Sequence, residues 1–177
     1  HGLPDMLARA DSKQVGGTVF GYRVADPERY GVVAFDVTGQ VQEIIEKPQV
    51  PPSNYAVTGI YFLDGEAPAR ARDIKPSDRG ELEIVTLLET YLKDNTLDVE
   101  TMGRGYAWLD TGTHASLLDA GNFVRTLAQR QGQQVGCLEE IAYEQDWIDT
   151  EKMREHAQTF RKTEYGHYLA SLIVEGD

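Results

Sequence analysis

Cysteine is almost absent from this sequence, because Cys137 is the only one among 177 residues. A single cysteine cannot form an intrachain disulfide, and no Cys–Cys or Cys–His spacing typical of a structural zinc site occurs. Long apolar runs are also lacking: none approaches the roughly 20 residues needed to span a bilayer, and the first residues do not form a signal-peptide pattern. We therefore expect a cytoplasmic protein without a membrane anchor.

Basic residues are scarce relative to acidic ones. The chain has 17 Lys and Arg against 29 Asp and Glu, which gives a formal net charge of -12 at pH 7. This excess of carboxylates repels nucleic acid and anionic membranes, which argues against both as partners. An anionic ligand would need a local cationic pocket on such a protein.

The first 132 residues alternate between strand-like and helical patterns, as in an α/β domain. Branched and aromatic residues predict strands at residues 18–24, 30–36, 41–46, 55–63 and 97–101. Helices are expected just after His1, from about Gly80 to residue 92, and from a Thr113 cap to a Gly132 stop. The last of these should bury a face with Leu117, Val124 and Leu127.

The remainder of the chain has only helical patterns, at residues 138–145, 150–160 and 165–174. We therefore predict two parts, an α/β part over residues 1–132 and a helical region over residues 133–177. The helical region has enough apolar positions to pack against the main body or a partner.

Glu46, Lys47 and Pro48 place an anion, a cation and a chain break at the end of a predicted strand. Loops at strand ends of α/β sheets commonly hold ligands. Lys47 could neutralise a phosphate, and Glu46 could accept hydrogen bonds from sugar hydroxyls. The alternative is an exposed ion pair that contributes little.

Asp110 follows the short apolar stretch 106–109, read as a strand, and stands among glycines. Its carboxylate could bind Mg²⁺, which prefers few carboxylates together with phosphate oxygens and water. A turn or helix-capping aspartate is at least as good an interpretation of the spacing alone. Arg79 is a third candidate, because it precedes a predicted helix whose N-terminus would favour a phosphate; a solvated arginine is the alternative.

Five blocks of sequence, taken together, resemble the glucose-1-phosphate thymidylyltransferases of the sugar nucleotidyltransferase family in order and spacing. They are residues 26–33 (DPERYGVV), 46–48 (EKP), 54–59 (NYAVTG), 79–84 (RGELEI) and 103–114 (GRGYAWLDTGTH). Residues 137–143 (CLEEIAY) resemble a further family block, with Leu138 in place of proline. The likeness covers essentially the whole chain. It implies the C-terminal portion of a Rossmann-like mixed sheet, followed by a helical C-terminal region.

The resemblance also implies roles for individual residues. The expected sugar site consists of Tyr30, Gly31, Glu46 and Val57, with Lys47 and Arg79 on the sugar phosphate and Trp108 supporting the site. Lys47 and Asp110 would be the catalytic residues, and Asp110 would bind Mg²⁺. A separate effector site for a nucleotide sugar would include Arg104, Glu140 and Ile141.

The resemblance further implies nucleotidyl transfer from dTTP to glucose 1-phosphate for dTDP-rhamnose-type biosynthesis, by a homotetramer. Family members begin with a Gly-rich loop that cradles the nucleotide, and they carry another Mg²⁺ aspartate near the position that precedes His1. We expect neither here, so this chain would be one part of such an enzyme and inactive alone. A non-catalytic sugar-phosphate-binding or assembly module is the alternative function.

Overall fold

The computed structural model describes residues 2–175, which form two compact units, one that ends at Trp108 and one that begins at Leu109. The first unit is a mixed α/β layer structure, and the regular elements described in the second unit are all helices. The mixed sheet followed by helices confirms the predicted α/β class. The predicted functional division at residue 132 lies inside the second unit, just after a long helix, and stays a prediction.

The first unit is built on one five-stranded sheet. Its strands are β1 (Gly17–Arg23), β2 (Gly31–Phe35), β3 (Val41–Glu46), β4 (Tyr55–Leu63) and β5 (Leu97–Met102). They lie in the order β3-β2-β4-β1-β5. β1 and β5 are parallel, and the other neighbouring strands are antiparallel. The β2–β3 hairpin closes through a turn in which Gly39 has a φ of 87°, as its position in the turn requires.

Both faces of the sheet are covered, which explains why β1 is buried at five successive positions from Gly17 to Gly21. One face packs against α3 (Ile84–Lys93) through a core that includes Val33, Val57, Val85 and Leu88. The opposite face packs against α1 (Leu3–Asp11), where Met6 and Ala10 contact Phe20. These apolar layers hold the strand ends, and hence the loops that follow them, in fixed positions.

The segment before α3 differs from the prediction. A helix was expected from about Gly80, but α3 begins at Ile84, because Ser77 to Gly80 form a turn in which Gly80 has a φ of 78°. Arg79 therefore lies in this turn and not at a helix N-terminus. A short helix, α2 (Ala67–Arg72), was not predicted because none of its residues is buried and it lacks an apolar stripe.

The second unit contains four helices: α4 (His114–Gln131), α5 (Leu138–Glu144), α6 (Thr150–Thr159) and α7 (Glu164–Glu175). α4 begins and ends as predicted, because Thr113 caps its first turn through Ser116 and Gly132 ends it in the left-handed region. The expected buried face of α4 is wrong, since none of its residues is buried and Leu117 is 57% exposed.

α6 and α7 share a small core with Cys137, in which Met153 and Leu169 are fully buried. Among residues 2–175, no helix has the length and apolar character to cross a membrane.

Candidate functional site

The first unit brings together three of the predicted sugar-site residues in one row across its sheet. Gly31 on β2 pairs with Glu46 on β3, and the next β2 residue, Val32, pairs with Ala56 on β4. A Cβ atom placed on Gly31 would lie 3.2 Å from Glu46 Oε2 and 3.8 Å from Val57 Cβ. The absence of a side chain at Gly31 therefore allows Val85 and the Glu46 carboxylate to pack closely against the β2 backbone.

Glu46 is the anionic centre of this row, with two cations beside it. Its Oε1 atom lies 3.8 Å from Lys47 Nζ and 3.7 Å from Arg79 Nη1. Burial raises the pKa of the Glu46 carboxyl, the nearby Glu83 carboxylate raises it further, and Lys47 and Arg79 lower it. The arrangement places a hydrogen-bond acceptor and two cations within reach of one ligand.

Lys47 is held in an uncommon backbone conformation. Its φ is 44°, in the left-handed region that a side chain other than glycine rarely adopts. Its backbone N–H donates to the Tyr30 carbonyl at 3.0 Å, and Pro48 follows it. This turn directs the lysine to the same end of the sheet as Glu46, and local backbone strain of this kind is concentrated at functional sites.

Trp108 and Tyr30 form an aromatic pair in the first unit. Their ring centroids lie 5.1 Å apart in an edge-to-face geometry, and the Tyr22 ring lies 6.0 Å from that of Trp108 in a tilted geometry. Residues 106–109 do not form a strand, so the prediction of a strand that leads to Asp110 is wrong. The rings of Tyr22 and Tyr30, rather than neighbouring strands, hold the Trp108 indole beside the predicted sugar site.

Two polar residues near Glu46 were not singled out from the sequence. Glu83 Oε1 lies 3.4 Å from Arg79 Nη1 and accepts a hydrogen bond from Ser77 Oγ at 3.1 Å. Glu83 belongs to the 79–84 block, so its spacing from Arg79 was the available signal. Ser77 had no such signal, because its role depends on the turn before α3.

Asp110 lies at the start of the second unit and takes part in a local turn. Its Oδ1 atom accepts a hydrogen bond from the Gly112 N–H at 3.2 Å. Within the described residues 2–175, no three His, Cys, Asp or Glu side chains cluster in a way that could hold a metal ion. A single carboxylate fits Mg²⁺ only as one ligand among phosphate oxygens, water and other groups. Its predicted convergence with Glu46 and Lys47 stays a prediction.

Arg104 lines an open groove of about 720 Å³ in the first unit, at the carboxyl ends of the parallel strands β1 and β5. Arg23 supplies a second cation there, and Tyr22 and Tyr55 supply aromatic surface. Glu140 and Ile141 lie on α5 in the second unit, where Ile141 is partly exposed. The grouping of these two residues with Arg104 as an effector site stays a prediction.

Sequence comparisons connect this geometry with known proteins. Residues 1–126 match the family model described as nucleotidyl transferase. A glucose-1-phosphate thymidylyltransferase of Xanthomonas campestris pv. campestris is 56% identical over 176 residues, which cover 99% of this chain and 60% of the relative. The enzyme of that name from Mycobacterium tuberculosis is 48% identical over 172 residues, covering 97% of this chain and 59% of the relative. The chain thus spans about 60% of the length of these curated relatives.

Solved structures agree with the fold. A crystal structure of a Bacillus anthracis protein described as a glucose-1-phosphate thymidylyltransferase, in complex with sucrose, matches with a TM-score of 0.59 and 40% identity. A UDP-glucose pyrophosphorylase complexed with UDP-glucose matches with a TM-score of 0.60 and 24% identity, which supports the fold alone. Each match covers 69% of this chain and 48% of the other. The family model, the relatives and the fold agree with the resemblance read from the five sequence blocks, and the chain belongs to the nucleotidyl transferase family.

Proposed function

We propose that this chain carries the sugar-phosphate site of an enzyme that transfers a nucleotidyl group from dTTP to glucose 1-phosphate, releasing pyrophosphate. The observation that carries this proposal is the Glu46 carboxylate above Gly31, with Lys47 and Arg79 each within 4 Å of it. A hexose phosphate needs a hydroxyl acceptor and phosphate cations side by side. The names of the relatives point to the same substrate.

Each residue of the site has a distinct part in this proposal. Glu46 accepts hydrogen bonds from sugar hydroxyls, and Gly31 lets the Glu46 carboxylate lie close to the β2 backbone, where a side chain would displace it. Lys47 carries the phosphate as a point charge, which a chain of net charge -12 must supply locally. Tyr30 and Trp108 form an aromatic wall, with Val57 in the row beside Gly31.

The transfer itself needs positioning and charge stabilisation more than a protein nucleophile. A phosphate oxygen of the sugar attacks the nucleotide α-phosphorus, and Lys47 offsets negative charge on the sugar phosphate. Asp110 would supply one carboxylate to a Mg²⁺ ion, which neutralises charge on the transferring group when bound. The Asp110 turn fixes that carboxylate through the Gly112 N–H.

The wider setting of the reaction is part of the same proposal. dTDP-glucose would feed deoxysugar synthesis of the dTDP-rhamnose type in the cytoplasm, and the enzyme would act as a homotetramer. Arg104, Glu140 and Ile141 would bind a nucleotide-sugar effector. The groove around Arg104 supports the first of these assignments, because two arginines and two tyrosines suit a phosphate joined to a base or sugar.

Calorimetry combined with an assay of pyrophosphate release separates this proposal from the alternative of a non-catalytic sugar-phosphate-binding module. Glucose 1-phosphate is titrated into the 177-residue chain with and without dTTP and Mg²⁺, and pyrophosphate release is measured in the same samples. When the remaining part of a relative is added, the proposed function predicts pyrophosphate release, whereas a binding module binds glucose 1-phosphate and still releases no pyrophosphate. Absence of glucose 1-phosphate binding under all conditions contradicts both functions.

A further inference from the structure

The turn before α3 presents the Arg79 guanidinium to three carboxylates. Arg79 Nη1 lies 3.4 Å from Glu83 Oε1 and 3.7 Å from Glu46 Oε1, while Nη2 lies 2.9 Å from Glu81 Oε2. One cation is therefore shared among three anions. The position of the Arg79 guanidinium depends on which of the three carboxylates restrains it most strongly.

Glu83 is better placed than Glu81 to anchor this guanidinium, although its contact is longer. The Glu83 side chain is 11% exposed, whereas that of Glu81 is 59% exposed. Water screens an exposed ion pair and leaves its side chains mobile, so the shorter contact is the weaker restraint. A sheltered carboxylate in a fixed position restrains its partner more strongly.

Ser77 fixes the Glu83 carboxylate from a second side. Its Oγ atom donates to Glu83 Oε1 at 3.1 Å and accepts from the Arg79 backbone N–H at 3.3 Å. The Ser77 N–H also donates to the Glu81 carbonyl at 2.9 Å, which closes the turn. One serine thus connects the backbone of Arg79 with the carboxylate that faces its side chain.

We propose that Glu83, held by Ser77, is a positioning residue that keeps Arg79 against Glu46. In this way Glu83 orients the Glu46 carboxylate toward the sugar hydroxyls. The inference rests on the proposed function, because Glu46 is the group assigned there to sugar hydroxyls. Without Arg79, Lys47, 3.8 Å away, would be left among the described residues to offset the charge of Glu46. Glu46 would then be free to turn toward Lys47 and away from the ligand.

The charged neighbours of Glu46 include both cations that attract its carboxylate and anions that repel it. Lys47 and Arg79 attract it, Glu81 and Glu83 repel it, and the Tyr61 phenol on β4 lies within its electrostatic range. Removing either acidic neighbour would, by charge alone, strengthen the binding of an anion. A positioning role predicts the opposite result for Glu83, and this difference in sign makes the proposal testable.

The test compares Glu83→Gln with the matched control Glu81→Gln, each of which removes one negative charge near the same guanidinium. We expect Glu83→Gln to bind glucose 1-phosphate about 10-fold more weakly than wild type in calorimetry, and Glu81→Gln to bind within about twofold of it. Equal effects of the two variants, or tighter binding by Glu83→Gln, would overturn the proposal.

A ligand-free measurement keeps this result separate from the proposed function. In the ¹⁵N-arginine-labelled chain, exchange of the Arg79 Nη1 protons, which face Glu83 and Glu46, with water should accelerate about 10-fold in Glu83→Gln and less than about twofold in Glu81→Gln. If wild type binds no glucose 1-phosphate, the proposed function fails, and this exchange still decides the positioning role. Ser77→Ala, which changes no charge, should accelerate exchange in the same direction to a smaller extent. An unchanged exchange rate in both Ser77→Ala and Glu83→Gln contradicts the inference.

Discussion

A methyl group introduced at Gly31 tests the geometry of the proposed sugar site. The added Cβ would lie 2.8 Å from Val85 Cγ2 and 3.2 Å from Glu46 Oε2. Ordinary van der Waals contact begins at about 3.4 Å, so Val85 would have to retreat by roughly 0.6 Å, which is 3.4 minus 2.8. Val85 is almost fully buried and has little room to move, and the Glu46 carboxylate would be displaced as well.

The cost of Gly31→Ala follows from these contacts. Overpacking a core by one methyl group costs about 1–3 kcal/mol, while replacing glycine by alanine returns about 0.4–1 kcal/mol through the unfolded chain. We expect a net loss of about 1–2 kcal/mol in the free energy of unfolding, and a melting temperature lower by about 2–8 °C. Binding of glucose 1-phosphate should fall as well, because the methyl group displaces the Glu46 carboxylate.

Gly59→Ala is the matched control, since a Cβ on Gly59, in β4, would meet no heavy atom within 4 Å. Thermal unfolding and calorimetry of both variants measure the two effects. In a Val85→Ala background, the destabilisation by Gly31→Ala should largely disappear, because the clashing methyl group is gone. The reasoning is refuted if Gly31→Ala unfolds and binds like Gly59→Ala.

Two further predictions concern pH and stability, both measured by urea denaturation. Glu46→Gln should stabilise the fold at pH 7 and impair binding. Burial is the main cause that raises the pKa of Glu46 in the folded chain. The wild-type chain therefore loses stability as the pH rises from 4.5 through the pKa of the folded state. Near pH 4 the two chains should become more alike, and a larger gain there would contradict the explanation. Asp64→Asn should cost about 1–2 kcal/mol at pH 7, because Asp64 accepts hydrogen bonds from the Gly16 N–H at 2.7 Å and the Tyr91 hydroxyl at 2.9 Å. The hydrogen bond from the Gly16 N–H is the main cause that holds the pKa of Asp64 below its usual range. The loss of unfolding free energy in Asp64→Asn should therefore shrink as the pH falls below 3.8 through the pKa of the folded state. A constant loss down to pH 2 would contradict this explanation.

Most of the sheet could be predicted from the sequence, because local alternation and turn residues determine where its strands begin and end. β3 and β4 were expected at residues 41–46 and 55–63, their observed bounds. The start of α3 could not be found in this way. The segment before it has the composition of a helix entry, but hydrogen bonds of Ser77 and the positive φ of Gly80 form a turn instead.

Apolar spacing was a poorer guide to burial in the second unit. α4 has the caps and the periodicity of an amphipathic helix, yet Leu117 and Val124 are exposed. Periodicity reports that a helix has an apolar stripe and does not report what covers that stripe.

The candidate site was partly readable from residue types. Glu46 and Lys47 stand out as a charged pair at a strand end, and Arg79, the third charged candidate from the sequence, lies within 4 Å of Glu46. The contribution of Glu83 required the shape of the turn, because a side chain four residues from Arg79 outside a helix has no fixed direction. Sequence spacing can therefore indicate which charges are near a site, and coordinates are needed to show which carboxylate holds which cation.

The central claim is that Glu46 and Lys47 bind different parts of one ligand, and truncated ligands test it most directly. Wild type, Glu46→Gln and Lys47→Met are titrated with glucose 1-phosphate, glucose and inorganic phosphate. We predict that Lys47→Met weakens binding of glucose 1-phosphate and inorganic phosphate by about 10-fold or more and leaves glucose unaffected, while Glu46→Gln weakens only the two sugars. Equal losses of binding affinity for all three ligands in both variants would contradict the claim that the two side chains bind separate parts of a sugar phosphate.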